Sequence, residues 1–95
     1  MPFDSMPVEL KPEQRVLLRA AKIVRRGWCQ GVYREGGNYC VLGAIDAAAR
    51  NYDLADAACL RLEALIGTHA FGTWNDQRGR TAEEVAQALE AAARP

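Results

Sequence analysis

Apolar residues recur at helical spacing soon after the chain begins. At about 100° per residue, Val16, Leu17, Ala20, Ala21, Ile23 and Val24 share one arc, with Lys11, Arg15, Arg19, Lys22 and Arg26 on the opposite side. Pro12 suits an opening helical turn and Gly27 a stop, which predicts an amphipathic first helix between them. The pattern then breaks. Glu35-Gly-Gly-Asn38 is a turn signal between two aromatic-bearing stretches and predicts a short β-hairpin resting on helices. From Cys40 to Arg50 the chain is apolar nearly all round, interrupted by Asp46 and Arg50 at pairing distance, as expected of a helix at the centre of the fold.

A third helix is expected from Asp53 as N-cap, with Asp56 in the capping-box position and Leu54, Ala58, Leu62 and Leu65 on one face as far as Gly67. Residues 68–79 read as irregular or as a single helical turn. Thr81 and Glu84 then form a capping-box pair before Val85, Ala86, Leu89, Ala92 and Ala93. The expected fold is mainly α: four helices, with one short β-hairpin between the first and second. Residues 1–10, with prolines at 2 and 7, read as an extended arm, and 11–95 as one compact helical domain. There is no internal repeat, low-complexity tract or interdomain linker.

Composition changes this picture in one respect. The chain of 95 residues has zero formal net charge, which disfavours a dedicated nucleic-acid binder. The zero is uneven, however. Residues 11–26 hold six basic side chains against Glu13 alone, so a basic helix is attached to a mildly acidic remainder. The first residues lack the basic start and apolar run of a signal peptide, and no stretch approaches the roughly 18 apolar residues of a membrane span. With three cysteines, an odd number without Cys-x-x-Cys spacing, the expectation is a cytoplasmic protein with reduced thiols. A Cys29–Cys40 bridge across the hairpin is the oxidised alternative.

Three blocks, Trp28-Cys-Gln-Gly31, Cys40-Val-Leu-Gly-Ala-Ile45 and Trp74-Asn-Asp-Gln-Arg-Gly-Arg-Thr-Ala-Glu-Glu-Val85, stand in an order that resembles an uncharacterised bacterial and phage domain family of unknown function. The resemblance spans most of residues 12–93. It implies a small, mainly helical domain and supplies no activity.

Candidate chemistry therefore comes from the residues. Cys40, at the start of a helix, would gain thiolate character from the helix dipole; as a small buried hydrophobe it would be inert. Cys40, His69 and then Asn75 or Asp76 follow the chain order of a papain-like Cys–His–Asn/Asp site, but no strands surround His69 to hold such a site. Cys29, Cys40, Cys59 and His69 lack zinc-site spacing, so no metal or other cofactor is expected. Asn75 and Asp76 suit a turn that sets the entry of the last helix; they could instead converge with Gln30 in a polar pocket near the hairpin. Trp28, Tyr33 and Tyr39 are candidates for core or for an aromatic contact surface, and Arg15, Arg19, Lys22 and Arg26 for a basic one. The expected function is a non-catalytic binding or regulatory module meeting a protein partner or a second copy. The alternative is a cysteine-dependent hydrolase or transferase using Cys40 and His69.

Overall fold

The computed structural model describes residues 9–95, so most of the expected arm over 1–10 lies outside the described residues. The elements run α1 (Pro12–Arg26), β1 (Arg34–Glu35), β2 (Asn38–Tyr39), α2 (Val41–Ala48), α3 (Tyr52–Ile66), α4 (Phe71–Asn75) and α5 (Ala82–Ala92). The fold is mainly helical, with a two-stranded antiparallel hairpin between α1 and α2. The helix additional to the four expected, α4, is a single short turn within the stretch expected to be irregular or briefly helical.

Helix α1 packs against α2, α3 and α5, and α2 against α1, α3 and α4. Val16, Leu17, Ala20, Ala21 and Val24 are buried on the apolar arc of α1, with Ile23 at the margin. They meet Val41, Ala44 and Ile45 of α2, Ala58 and Leu62 of α3, and Val85, Ala86 and Leu89 of α5 in one core. Gln14 is also buried, yet both ends of its amide are satisfied. Its Oε1 accepts from Lys11 N at 2.7 Å and its Nε2 donates to Ala93 O at 2.9 Å, joining the start of α1 to the end of α5.

Two sequence expectations need correction. Helix α3 is capped by Asn51, whose side chain accepts from Leu54 N at 2.9 Å, not by Asp53, which lies in the first turn. Asn and Asp are nearly equivalent caps, and the two candidates stand two residues apart. Helix α2 ends at Ala48, so Asp46 and Arg50 do not share a helical face as expected. Leu65 also departs from the core face and is 48% exposed. By contrast, the α5 capping box forms as read: Glu84 N donates to Thr81 Oγ1 at 3.1 Å, and Thr81 N to Glu84 Oε1 at 3.0 Å.

Two arginines close helix ends. Arg19 Nη1 donates to Ala48 O at 3.1 Å at the end of α2, and Arg61 Nε to Ala92 O at 2.9 Å at the end of α5. Both satisfy carbonyls that a helix leaves without an internal donor. Arg25 bridges α1 to α5 by pairing with Glu83 (2.8 Å) and Glu90. Among the described residues, no buried side-chain nitrogen or oxygen lacks a hydrogen-bond partner.

Candidate functional site

The hairpin turns through Gly36 and Gly37, both with positive φ (56° and 89°), pairing Arg34 with Tyr39 and Glu35 with Asn38. Two positive-φ residues in a two-residue loop are what a primed hairpin turn requires. The hairpin is then laid against the helices. Trp28 forms a parallel bridge with Tyr39, and Cys40 N donates to Tyr33 O at 3.0 Å. Gly43 on α2 permits this approach: a Cβ there would stand 2.4 Å from Tyr33 O.

Asn75, at the end of α4, is fully buried beneath this junction. Its Oδ1 accepts from Trp28 Nε1 at 2.7 Å and from Val41 N at 2.9 Å. Its Nδ2 donates to Cys29 O at 3.1 Å and to Asp76 Oδ1 at 2.9 Å. One amide thus ties together the post-α1 segment, the first turn of α2 and the α4 loop, with both faces of its donor–acceptor capacity in use. Around it, Asp76 Oδ1 accepts from Gly31 N at 3.0 Å, and Gln30 Nε2 reaches Asn75 O at 3.0 Å and Gln77 O at 3.2 Å. Arg80 closes the loop from the far side: its Nε donates to Trp74 O at 3.0 Å, and its guanidinium lies 4.2 Å from the Trp74 ring centroid.

The convergence of Gln30, Asn75 and Asp76 near the hairpin is therefore real, but it takes the form of a clasp bonded to itself. Hydrogen bonds from Asn75 and Gly31 hold the Asp76 carboxyl below its ordinary 3.8, with burial opposing them. Glu83 and Glu90 are lowered by Arg25. A carboxyl lowered in the folded state contributes stability above its unfolded pKa and loses it as pH falls through the folded value. Stability is therefore expected to decline below about pH 4, and Asp76→Asn, which keeps an acceptor at Oδ1, should weaken that decline. Thermal unfolding at pH 7 and pH 3 (roughly one unit below the ordinary carboxyl range) tests this. An equal drop in variant and parent would remove Asp76 from the account.

The remaining candidates are dispersed. Cys40 is the N-cap of α2; its sulfur accepts from Gly43 N at 3.4 Å and the residue is buried. His69 is exposed between α3 and α4, and no hydrogen bond joins it to Cys40 among the described residues. All three cysteines are free. Burial, reinforced by nearby Asp46 and Asp56, pushes the Cys59 thiol up to about 11. The Cys29 thiol is also raised, first by burial and then by its neighbours Cys40, Glu35 and Asp76. No group of three or more His, Cys, Asp or Glu side chains among the described residues is placed to hold a metal ion. No described helix is long and apolar enough to cross a membrane.

The aromatic residues divide. Trp28 and Tyr39 pack against the core, while Tyr33 and its neighbour Val32 are 45% and 46% exposed. On the first helix, Arg15 donates to Leu10 O at 2.8 Å and Arg19 closes α2, leaving Lys22 and Arg26 exposed without a recorded partner among the described residues. The surface that sequence reading missed is on α3. Tyr52 and Leu60 are 86% and 65% exposed. With Asp56 and Glu63 they occupy successive turns of one helical stripe. The signal was present in their spacing, but a second leucine-bearing stripe on one helix is easily absorbed into the core face.

Fold and clasp together define a small helical domain whose hairpin is pinned by one buried asparagine. Residues 9–95 match the model of a family described as a family of unknown function (DUF6197), and the chain belongs to that family. Neither the curated proteins nor the solved structures contain a match.

Proposed function

We propose that this domain is a non-catalytic protein-binding module whose contact surface is the outer stripe of α3. The observation that carries this reading is the exposure of Tyr52 and Leu60 on a stripe interleaved with Asp56 and Glu63. Tyrosine supplies large contact area at low conformational cost and is enriched among residues that dominate binding energy. The flanking carboxylates select for charge, so the fitting partner is an apolar segment carrying lysine or arginine. The interior polar residues of the clasp are spent on one another, which supports a role outside catalysis for this domain. A shallow concavity of about 380 Å³, lined by Asp46, Ala49, Arg50, Asn51, Tyr52 and Ala55, adjoins the start of the stripe and offers a seat for one anchoring side chain.

A second reading places the contact at the opposite charge. Exposed Val32 and Tyr33 follow the end of α1 in sequence, where Lys22 and Arg26 are also exposed, and these would favour an acidic partner. Selection of a random displayed-peptide library on the folded protein distinguishes the two. The α3 reading expects peptides rich in lysine, arginine and large apolar residues, whose binding falls at least tenfold (about 1.4 kcal/mol) in Leu60→Glu and is unchanged in Arg26→Glu. Acidic peptides lost in Arg26→Glu and retained in Leu60→Glu would overturn it in favour of the second surface. Recovery of no binding peptide would count against both.

A further inference from the structure

Two cysteines flank one parallel backbone bridge, Cys29 following Trp28 and Cys40 following Tyr39. The parallel bridge pairs Trp28 with Tyr39, and Cys29 N donates to Tyr39 O at 3.2 Å while Tyr39 N donates to Gly27 O at 3.0 Å. The rung below holds the same register, because a Cβ on Gly27 would lie 3.4 Å from Asn38 Cα. Carried one residue further, that register would set Cys29 opposite Cys40, and Cys40 is still extended (φ −74°, ψ 176°) before α2 begins. Register partners project from the same side of a ladder, opposite to that taken by Trp28 and Tyr39. Paired strands run about 4.7–4.9 Å apart, inside the roughly 4.4–6.8 Å between Cα atoms that a disulfide spans. The chain after Cys29 also folds back over both residues. Cys29 Sγ donates to Val32 O at 3.6 Å, and Cys40 N donates to the next carbonyl, Tyr33 O, at 3.0 Å.

We propose that Cys29 and Cys40 form an oxidative modification site that closes as an intramolecular disulfide when the domain meets a small-molecule disulfide such as oxidised glutathione. Cys29 is only partly buried and is the entry point, whereas Cys40 is buried and resolves. In the first step the Cys29 thiolate attacks one sulfur of the oxidant; a mixed disulfide forms and one glutathione thiolate leaves. In the second, the Cys40 thiolate attacks Cys29 Sγ, the protein disulfide forms and the second glutathione thiolate leaves. The two protons given up by the cysteines end on the two glutathione thiols. The protein pair loses two electrons, and the oxidant gains them. The raised Cys29 thiol makes the reaction slow at neutral pH and faster as pH rises, since only the thiolate attacks. The product clips the segment after α1 to the start of α2, so it should raise the thermal midpoint of the folded domain.

The test is a titration of the native protein with oxidised glutathione, followed by acid quench, blocking of free thiols and tryptic digestion without reductant. Cleavage after Arg26, Arg34 and Arg50 places Cys29 and Cys40 on separate peptides, 27–34 and 35–50. The expected product is those two peptides joined, lighter by two hydrogens than their sum. It should form equally in Cys59→Ser and be replaced in Cys40→Ser by glutathione attached to Cys29. In Cys29→Ser, the buried Cys40 should stay unmodified. The proposal is overturned if native protein stops at the Cys29 mixed disulfide, if the joined peptides appear only in denaturant, or if Cys59 is the preferred partner.

Discussion

Asn75→Ala is expected to cost about 3–5 kcal/mol, a large share of the stability of a domain this size, in which the folded state is favoured by roughly 5–14 kcal/mol. The substitution leaves the buried Val41 N–H and the partly buried Trp28 Nε1–H without their acceptor, at about 1–3 kcal/mol each. It also strands Cys29 O and opens a cavity at a fully buried position. Asn75→Asp separates these effects. A carboxylate still accepts from Trp28 and Val41, but it cannot donate to Cys29 O and it sets a second charge beside Asp76. Urea unfolding should therefore rank parent, Asp variant and Ala variant in that order at neutral pH. An alanine variant within about 1 kcal/mol of the parent, the ordinary effect of a point substitution, would mean that the clasp is ornamental.

Gly43→Ala carries the second large effect, and its sign is opposite to what helix propensity dictates. Alanine within a helix is favoured over glycine by about 1 kcal/mol. At Gly43 the added Cβ meets the Tyr33 carbonyl at 2.4 Å, and that carbonyl is backbone already engaged by Cys40 N. The hairpin must lift or α2 must retreat, and overpacking of this kind costs about 1–3 kcal/mol. Gly72→Ala in α4 is the matched control, since a Cβ there meets nothing within 4 Å. A drop in thermal midpoint for Gly43→Ala alongside an unchanged or raised one for Gly72→Ala is the expected pair. If both rise, close approach at Gly43 is not what glycine provides.

The helices were legible because their signals are local. The arc from Val16 to Val24, the Gly36–Gly37 turn and the Thr81–Glu84 box each lie within a few residues of their partners, and each formed where it was read. What sequence did not disclose depends on meetings across the chain. Trp28 and Asn75 are 47 residues apart, and no pattern within either block says that one donates to the other. The same blindness applies to burial. Leu62 and Leu65 look alike in sequence, yet one is sealed in the core and the other is about half exposed. Arg19 is exposed as its place on the basic stripe predicts, but its closure of α2 could not be read from that stripe. Candidate site residues were thus legible as a set of polar side chains; their bonding to one another was not.

The clasp also has a consequence for the order in which the molecule assembles. Its bonds join Asn75 to Trp28, Cys29 and Val41, separations of 34 to 47 residues, so none can form until the intervening helices have been brought together. Closing so long a loop costs entropy before it returns any bonding. Helices α1, α2 and α3 can meet through side chains alone, whereas the amide of Asn75 needs all three of its neighbouring segments already in position. The asparagine is therefore expected to be a late fastening in folding: Asn75→Ala should speed unfolding more than it slows folding, which stopped-flow rates in urea would read.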